Sequence, residues 1–203
     1  MSHQKSLLDF LNKFIPLSLN EYNELIAPCI IKRHFDKKSI ITTAGEVENY
    51  INFIDSGLVR KYYKKANDEV NTQISNEGHI IHAQESFHSR TPSEFSIETI
   101  EPTELSSITY ECLEKMYSSS EKMQRLGRLV ITATMVLKDK WLSQLVKLSP
   151  RERFISFVTK HPELMQRVPQ KYLASYLNIK PETFSRFKHL VKDHSKKTVV
   201  YQN

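Results

Sequence analysis

The sequence predicts an α+β chain: N-terminal helices, a small β-barrel or roll, a long helix, and a C-terminal helix-turn-helix. Three observations carry this. Short β-branched and aromatic runs separated by turn residues fill residues 30–109, an apolar 3-4 spacing persists through residues 121–147, and residues 170–191 parse as two short helices about a tight corner.

Residues 5–27 give two amphipathic helical pieces, SLLDFLNKFI and LSLNEYNELIAP. Ser18 can cap the second, and Glu21 three residues later completes a capping box. From about Ile30 the period changes. Strands are expected over residues 39–43, 50–55, 58–63, 69–75, 79–83, 95–101 and 104–109, with turns at Asp36-Lys37, Gly45 and Ser56-Gly57. Closely spaced short strands of this kind close into a barrel or roll.

A helix begins at Tyr110, and the longest runs from Glu121 to Lys147. Leu126, Val130, Ala133, Leu137 and Trp141 lie on one stripe of it; Leu129, Val136, Leu142 and Val146 make a second. A helix apolar on two sides needs two covers. One is the chain's own β-domain, and the other is the same helix of a twin chain, so the first stripe is the candidate interface of a two-fold homodimer. Ser149 caps the next helix and Pro150 takes its first position. There is no internal repeat and no low-complexity segment.

In residues 170–191, Leu173, Ala174 and Leu177 recur at i, i+1 and i+4, and Ala174 is small enough to let a second helix cross closely. Asn178 stands where the chain must leave the helix, a position that favours the left-handed conformation. Ile179 fills the corner and Pro181 opens the next helix, whose Phe184 and Phe187 turn inward. Glu182, Thr183, Ser185, Arg186 and Lys188 remain outside. This is the layout whose second helix enters the DNA major groove.

Composition bounds the rest. With 203 residues, 39% hydrophobic and 26% charged, the chain reads as a soluble globular protein. It lacks the apolar run of about 20 residues that spans a bilayer and a secretory leader, so a cytoplasmic protein with no membrane partner is expected. Cys29 and Cys112 form no CxxC pair, and buried reduced thiols are expected. His79, His82 and His88 read as surface or half-buried histidines, so neither metal nor cofactor is expected. No nucleophile–base constellation, glycine-rich phosphate loop or HExxH is present, which argues against an enzyme. Charge is divided unevenly. Residues 147–203 hold 12 of the 29 Lys and Arg but 4 of the 23 Asp and Glu, a net of +8; the preceding 146 residues carry 17 and 19, a net of −2. A basic module coinciding with the helix-turn-helix points to nucleic acid.

Three stretches resemble the Crp/Fnr family of bacterial transcription regulators: KKSIITTAGEVENYINFIDSGLVRKYYKKANDEV, EGHIIHAQESF through FSIETIEPTEL, and LASYLNIKPETFSRFKHL. The resemblance implies a cyclic-nucleotide-binding-like jelly roll over residues 1–117, a dimerisation helix over 118–148 and a winged helix-turn-helix over 149–203. The implied partners are double-stranded DNA and a twin chain, with room for an unidentified small-molecule effector and for RNA polymerase. The family's base-reading positions fall on Glu182, Ser185 and Arg186, where an arginine fork suits guanine O6 and N7 and a glutamate accepts from cytosine N4. That pair implies a palindrome of TGA-type half-sites, although Pro181 replaces a further arginine of some members. Gln170, Lys171, Lys180, Thr183, Lys188, Lys196 and Lys197 are expected at phosphates.

The family's effector cassette aligns with Gln84-Glu85-Ser86 and Ser93-Glu94-Phe95. Its phosphate-binding arginine is replaced by Ser93 with acidic Glu94 beside it, and Arg90 lies in a different direction on the loop, so no response to cyclic AMP is expected. The C-terminal HSKKTVVYQN leaves room for about one wing strand. A second reading of the same parts is a signalling module whose roll holds an altered small-molecule ligand, with DNA binding secondary.

Overall fold

The computed structural model describes residues 6–66 and 68–188. It divides into two compact units, Met1–Val136 and Leu137–Asn203.

The first unit is built on two antiparallel four-stranded sheets. β1 (Ile31–Phe35), β8 (Thr103–Thr109), β3 (Tyr50–Ser56) and β6 (Ile80–Ile81) form one in that order; β2 (Ile40–Thr42), β7 (Ser96–Thr99), β4 (Leu58–Lys65) and β5 (Asp68–Asn76) form the other. The period of two sorts their side chains. Ile54, Ile81, Leu105, Val59 and Ile97 meet in one buried cluster between the sheets, whereas Phe53 joins the helical layer on the other side. The β3–β4 turn demands glycine: Gly57 has φ +104°, and a Cβ there would sit 2.6 Å from the Pro102 carbonyl oxygen. On β4 the buried Arg60 ties three strands together, pairing with Glu69 on β5 at 2.7 Å and Glu98 on β7 at 2.9 Å, with its guanidinium 3.9 Å from the Tyr62 ring centre.

The helical layer comprises α1 (Leu7–Leu11), α2 (Leu19–Glu21), a π turn at Tyr22–Ile26, a 3-10 turn at Ala27–Cys29, α4 (Tyr110–Ser119) and the start of α5 (Glu121–Lys147). Capping boxes open α1 at Ser6 and α2 at Ser18, the second as the sequence anticipates, and Lys122 also donates to Glu21. Leu7, Leu11, Ile26, Leu113 and Met123 pack with Phe53. A glycine stands inside α5 for a steric reason: a Cβ on Gly127 would overlap the Tyr117 ring.

Two elements of this unit were not anticipated, β1 and α3 (Gln84–Ser89). The reading of Cys29 and Cys112 as reduced thiols is also corrected: they form a disulfide, with Cα atoms 5.8 Å apart. The cause is topological. Since β1 pairs antiparallel with β8, Ile31 opposite Ser107, the residues just before β1 lie beside the helical turn that follows β8.

The second unit contains the C-terminal part of α5, then α6 (Pro150–Lys160), α7 (Leu164–Arg167), α8 (Gln170–Tyr176) and α9 (181–188). Ser149 opens α6 with a capping box to Glu152 and Pro150 at the first turn. Along α5 two expected interface residues are engaged within the chain instead. Leu126 is 6% exposed in the core of the first unit, and Trp141 stacks on Tyr176 with ring centres 4.3 Å apart. Val130 packs against the same core, Ala133 is half-buried, and Leu137 is 65% exposed. Met135, Val136, Leu142 and Val146 are exposed beside Leu137.

Candidate nucleic-acid interface

The corner between α8 and α9 is fixed from inside. Leu173, Ala174 and Leu177 are fully buried, and Phe184 of α9 packs edge-on against Phe154 at 5.0 Å. Asn178 adopts φ +52°, the left-handed conformation expected of it. Around it the Asn178 N–H donates to the Ser175 carbonyl at 3.0 Å and the Ile179 N–H to the Ala174 carbonyl at 2.9 Å, the paired bonds of a Schellman motif.

Arg153 holds this corner from α6. It is buried, and its Nε and Nη2 donate to the carbonyls of Leu177 at 2.8 Å and Asn178 at 2.9 Å. Its Nη1 donates to the carbonyls of Leu148 at 2.6 Å and Leu145 at 3.2 Å, at the end of α5. One guanidinium thus satisfies carbonyls that two helix ends would otherwise leave open. Sequence reasoning missed it, because an arginine in a basic module reads first as a phosphate contact.

With Phe184 inside, α9 presents Glu182, Arg186 and Lys188 as exposed side chains and Thr183 and Ser185 as half-buried ones. Glu182 and Arg186 are four residues apart and therefore share one helix face. Lys171 and Lys180 are exposed and Gln170 is half-buried, so these surround the same helix pair. Lys196, Lys197 and the wing lie outside the described residues.

Residues 32–120 match the cyclic nucleotide-binding domain family. No curated protein matches the chain in sequence. Among solved structures, FixK2 from Bradyrhizobium japonicum is similar with a TM-score of 0.69 and 16% identity over 82% of this chain and 86% of that one. The c-di-GMP responsive global regulator CLP from Xanthomonas campestris gives 0.66 and 18% over 86% and 93%. A transcriptional regulator of the Crp/Fnr family from Eubacterium rectale gives 0.66 and 17% over 88% and 85%. The chain has the Crp/Fnr fold.

Within this Crp/Fnr fold several residues expected in the effector cassette are engaged by the chain's own groups. Ser93 is buried, its hydroxyl donating to the Phe95 carbonyl at 2.9 Å and accepting from the Phe95 N–H at 3.0 Å. Glu94 points to solvent, and Gln84 and Glu85 begin α3. Arg90 is turned onto the preceding loop, donating to the Glu48 carbonyl at 2.8 Å and to Asn49 Oδ1 at 2.6 Å. Sequence reasoning missed Glu48 as well. Its carboxylate, 2% exposed, accepts from the Thr42 hydroxyl at 2.8 Å, the Ala83 N–H at 3.2 Å and the Tyr50 N–H at 3.0 Å. This buried carboxyl group at the start of α3 thus engages the Thr42 hydroxyl and the Tyr50 and Ala83 N–H groups. Among the described residues no group of His, Cys, Asp and Glu side chains is arranged to hold a metal ion, and no helix is long and apolar enough to cross a membrane.

Proposed function

We propose that the chain is a cytoplasmic, homodimeric, sequence-specific DNA-binding transcription regulator that does not respond to cyclic AMP. The observation that carries this is the solvent-facing side of α9, where Glu182, Ser185 and Arg186 are presented on a helix locked from beneath by Phe184 and the Arg153 clamp. α9 enters the major groove. Arg186 donates both arms of its fork to a guanine, Glu182 accepts from a cytosine N4 amino group, and Ser185 adapts to its neighbour. Gln170, Lys171, Lys180, Thr183 and Lys188 set the register on phosphates, and with the C-terminal net charge of +8 they make affinity fall steeply with salt. The twin chain places a second α9 about 34 Å away, one DNA turn, so the operator is a palindrome. The exposed stripe of α5 supports that pairing, with Met135, Val136, Leu137, Leu142 and Val146 as its seam.

Selection from a randomised duplex library tests the reading. A two-fold sequence should be enriched, and Arg186→Ala should lose about 1–3 kcal/mol at one base pair of each half-site while leaving the other positions selected. Enrichment of nothing two-fold, or an Arg186→Ala protein that selects the same site with the same affinity, refutes it. Calorimetry with cyclic AMP should show no heat of binding at micromolar concentration, because Glu48 and Ser93 occupy the cassette.

A further inference from the structure

The first unit contains a cavity of about 90 Å³ that shares Gln84 with the cassette but is lined by neither Glu48 nor Ser93. It lies on the outer face of the β1-β8-β3-β6 sheet: Phe53 and Ile80 line it, whereas their neighbours Ile54 and Ile81 point between the sheets. α1 and α4 close its sides, and α5 covers it with Gly127, Val130 and Ile131. Protein interiors hold few voids larger than a water molecule, and this one has room for about six times the volume a single water needs.

The wall decides what the cavity can hold. No Asp, Glu, Lys or Arg lines it; the polar side chains among its mostly aliphatic and aromatic lining are Gln84, His88, Ser106, Tyr117, Thr134 and His82, the last buried rather than half-buried as the sequence suggested, and none of them is a fixed charge to offset the desolvation of an ion. Two of its hydroxyls already have partners: Ser106 donates to Asp55, and Thr134 donates to the Val130 carbonyl at 2.9 Å. Most of the wall is aliphatic or aromatic, from Leu7, Leu11, Phe53, Leu113, Val130 and Ile131 among others, and a wall of that kind holds a hydrocarbon better than water, which needs two to four polar partners. Tyr117, whose phenol burial keeps protonated, adds one polar contact beside Gly127.

We propose that this cavity is a binding site for a small, uncharged, mainly aliphatic molecule of roughly four to six non-hydrogen atoms. Such a ligand touches α3 through Gln84 and the proposed dimer helix through Val130 and Ile131, so its occupancy biases how α5 presents its exposed stripe. That consequence rests on the regulator reading; the binding site does not.

Methionine methyl resonances test it directly. Met116 and Met123 line the cavity, whereas Met135 is exposed on α5 and Met165 belongs to the second unit. In the full chain labelled at methionine methyls, titration with isobutanol should move Met116 and Met123 saturably and leave Met135 and Met165 in place. Ile131→Phe, which fills the cavity from its covering helix, should abolish both shifts while the Met165 resonance stays at its original position. Val130→Phe serves the same purpose if the first variant does not fold. Absent or unsaturable shifts, equal shifts at Met116, Met123, Met135 and Met165, or shifts undiminished in the filled variant overturn the proposal. The readout needs no DNA, so failure to select an operator would leave this result standing, and the reverse holds as well.

Discussion

Replacing Arg153 with methionine keeps the apolar stem and removes four hydrogen bonds at once. The bond to the carbonyl of fully buried Leu177 is worth about 1.5–3 kcal/mol, as a bond from a charged donor. The carbonyls of Leu145, Leu148 and Asn178 are partly reached by water after the change, so each adds a fraction of that, about 0.5–1 kcal/mol. Since the four share one guanidinium and do not add fully, the expected loss is about 3–5 kcal/mol. A unit of this length has a total stability of about 3–10 kcal/mol, so the variant should retain the second unit marginally or lose it. Trp141 is the only tryptophan of the chain and stacks on Tyr176 within that unit, so its fluorescence in a guanidinium titration reports the second unit. Arg153→Lys should recover little, because one ammonium cannot span carbonyls on two helix ends. A midpoint shift equivalent to less than about 1 kcal/mol in Arg153→Met would show that the clamp does not hold the corner.

The Glu21–Lys122 contact makes a pH prediction. Lys122 first, then the Ser18 cap, lower the Glu21 carboxyl from 4.5 to about 2. A carboxylate with a depressed folded pKa contributes stability that is complete above its unfolded value and disappears as pH falls through the folded one, so the window runs from 4.5 down to about 2. Thermal melts across that window should fall more steeply for the wild type than for Lys122→Met, and parallel curves would refute the pairing. The Cys29–Cys112 disulfide makes another prediction. It closes a sequence separation of 83 residues, which in the chain-entropy account corresponds to about 4–5 kcal/mol. Reductant should destabilise the first unit by up to that amount, and Cys112→Ser should mimic the loss and be insensitive to reductant. Alkylation of both thiols in the unreduced native protein would refute it.

Elements whose reasons are local were legible in the sequence. The bounds of α5, the caps at Ser18 and Ser149, the left-handed Asn178 and the inward Phe184 each follow from residues within one or two turns. What escaped depends on distant partners. β1 carries Lys32 and Arg33 in succession, which hides the alternation of a strand; Lys32 in fact pairs with Asp55, and Arg33 lies 4.2 Å from the Tyr50 ring centre. Glu48 sits beside Glu46 and Asn49 in a polar turn and reads as solvated; its burial arises from Thr42 and Ala83, the second 35 residues away. The disulfide and the Arg153 clamp are hidden for the same reason, since strand register and helix crossing bring their partners together.

The corrections to α5 bear on the proposed dimer. Had Leu126 and Trp141 been exposed, the seam would have run the full helix. With Leu126 buried against the N-terminal helices and Trp141 under Tyr176, the apolar surface still open is confined to the second half, where Val146 is 79% exposed. Met135, Leu142 and Val146 fall at i, i+7 and i+11, the spacing of a narrow seam between two helices, with Val136 and Leu137 beside them. Five large apolar side chains exposed on one stretch support the proposed pairing, in which a twin helix would cover them by the same pattern it presents. The seam then lies on the stretch of α5 that Arg153 joins to the corner below α9. A charged residue at Leu142 should therefore weaken binding to a palindrome far more than binding to a single half-site.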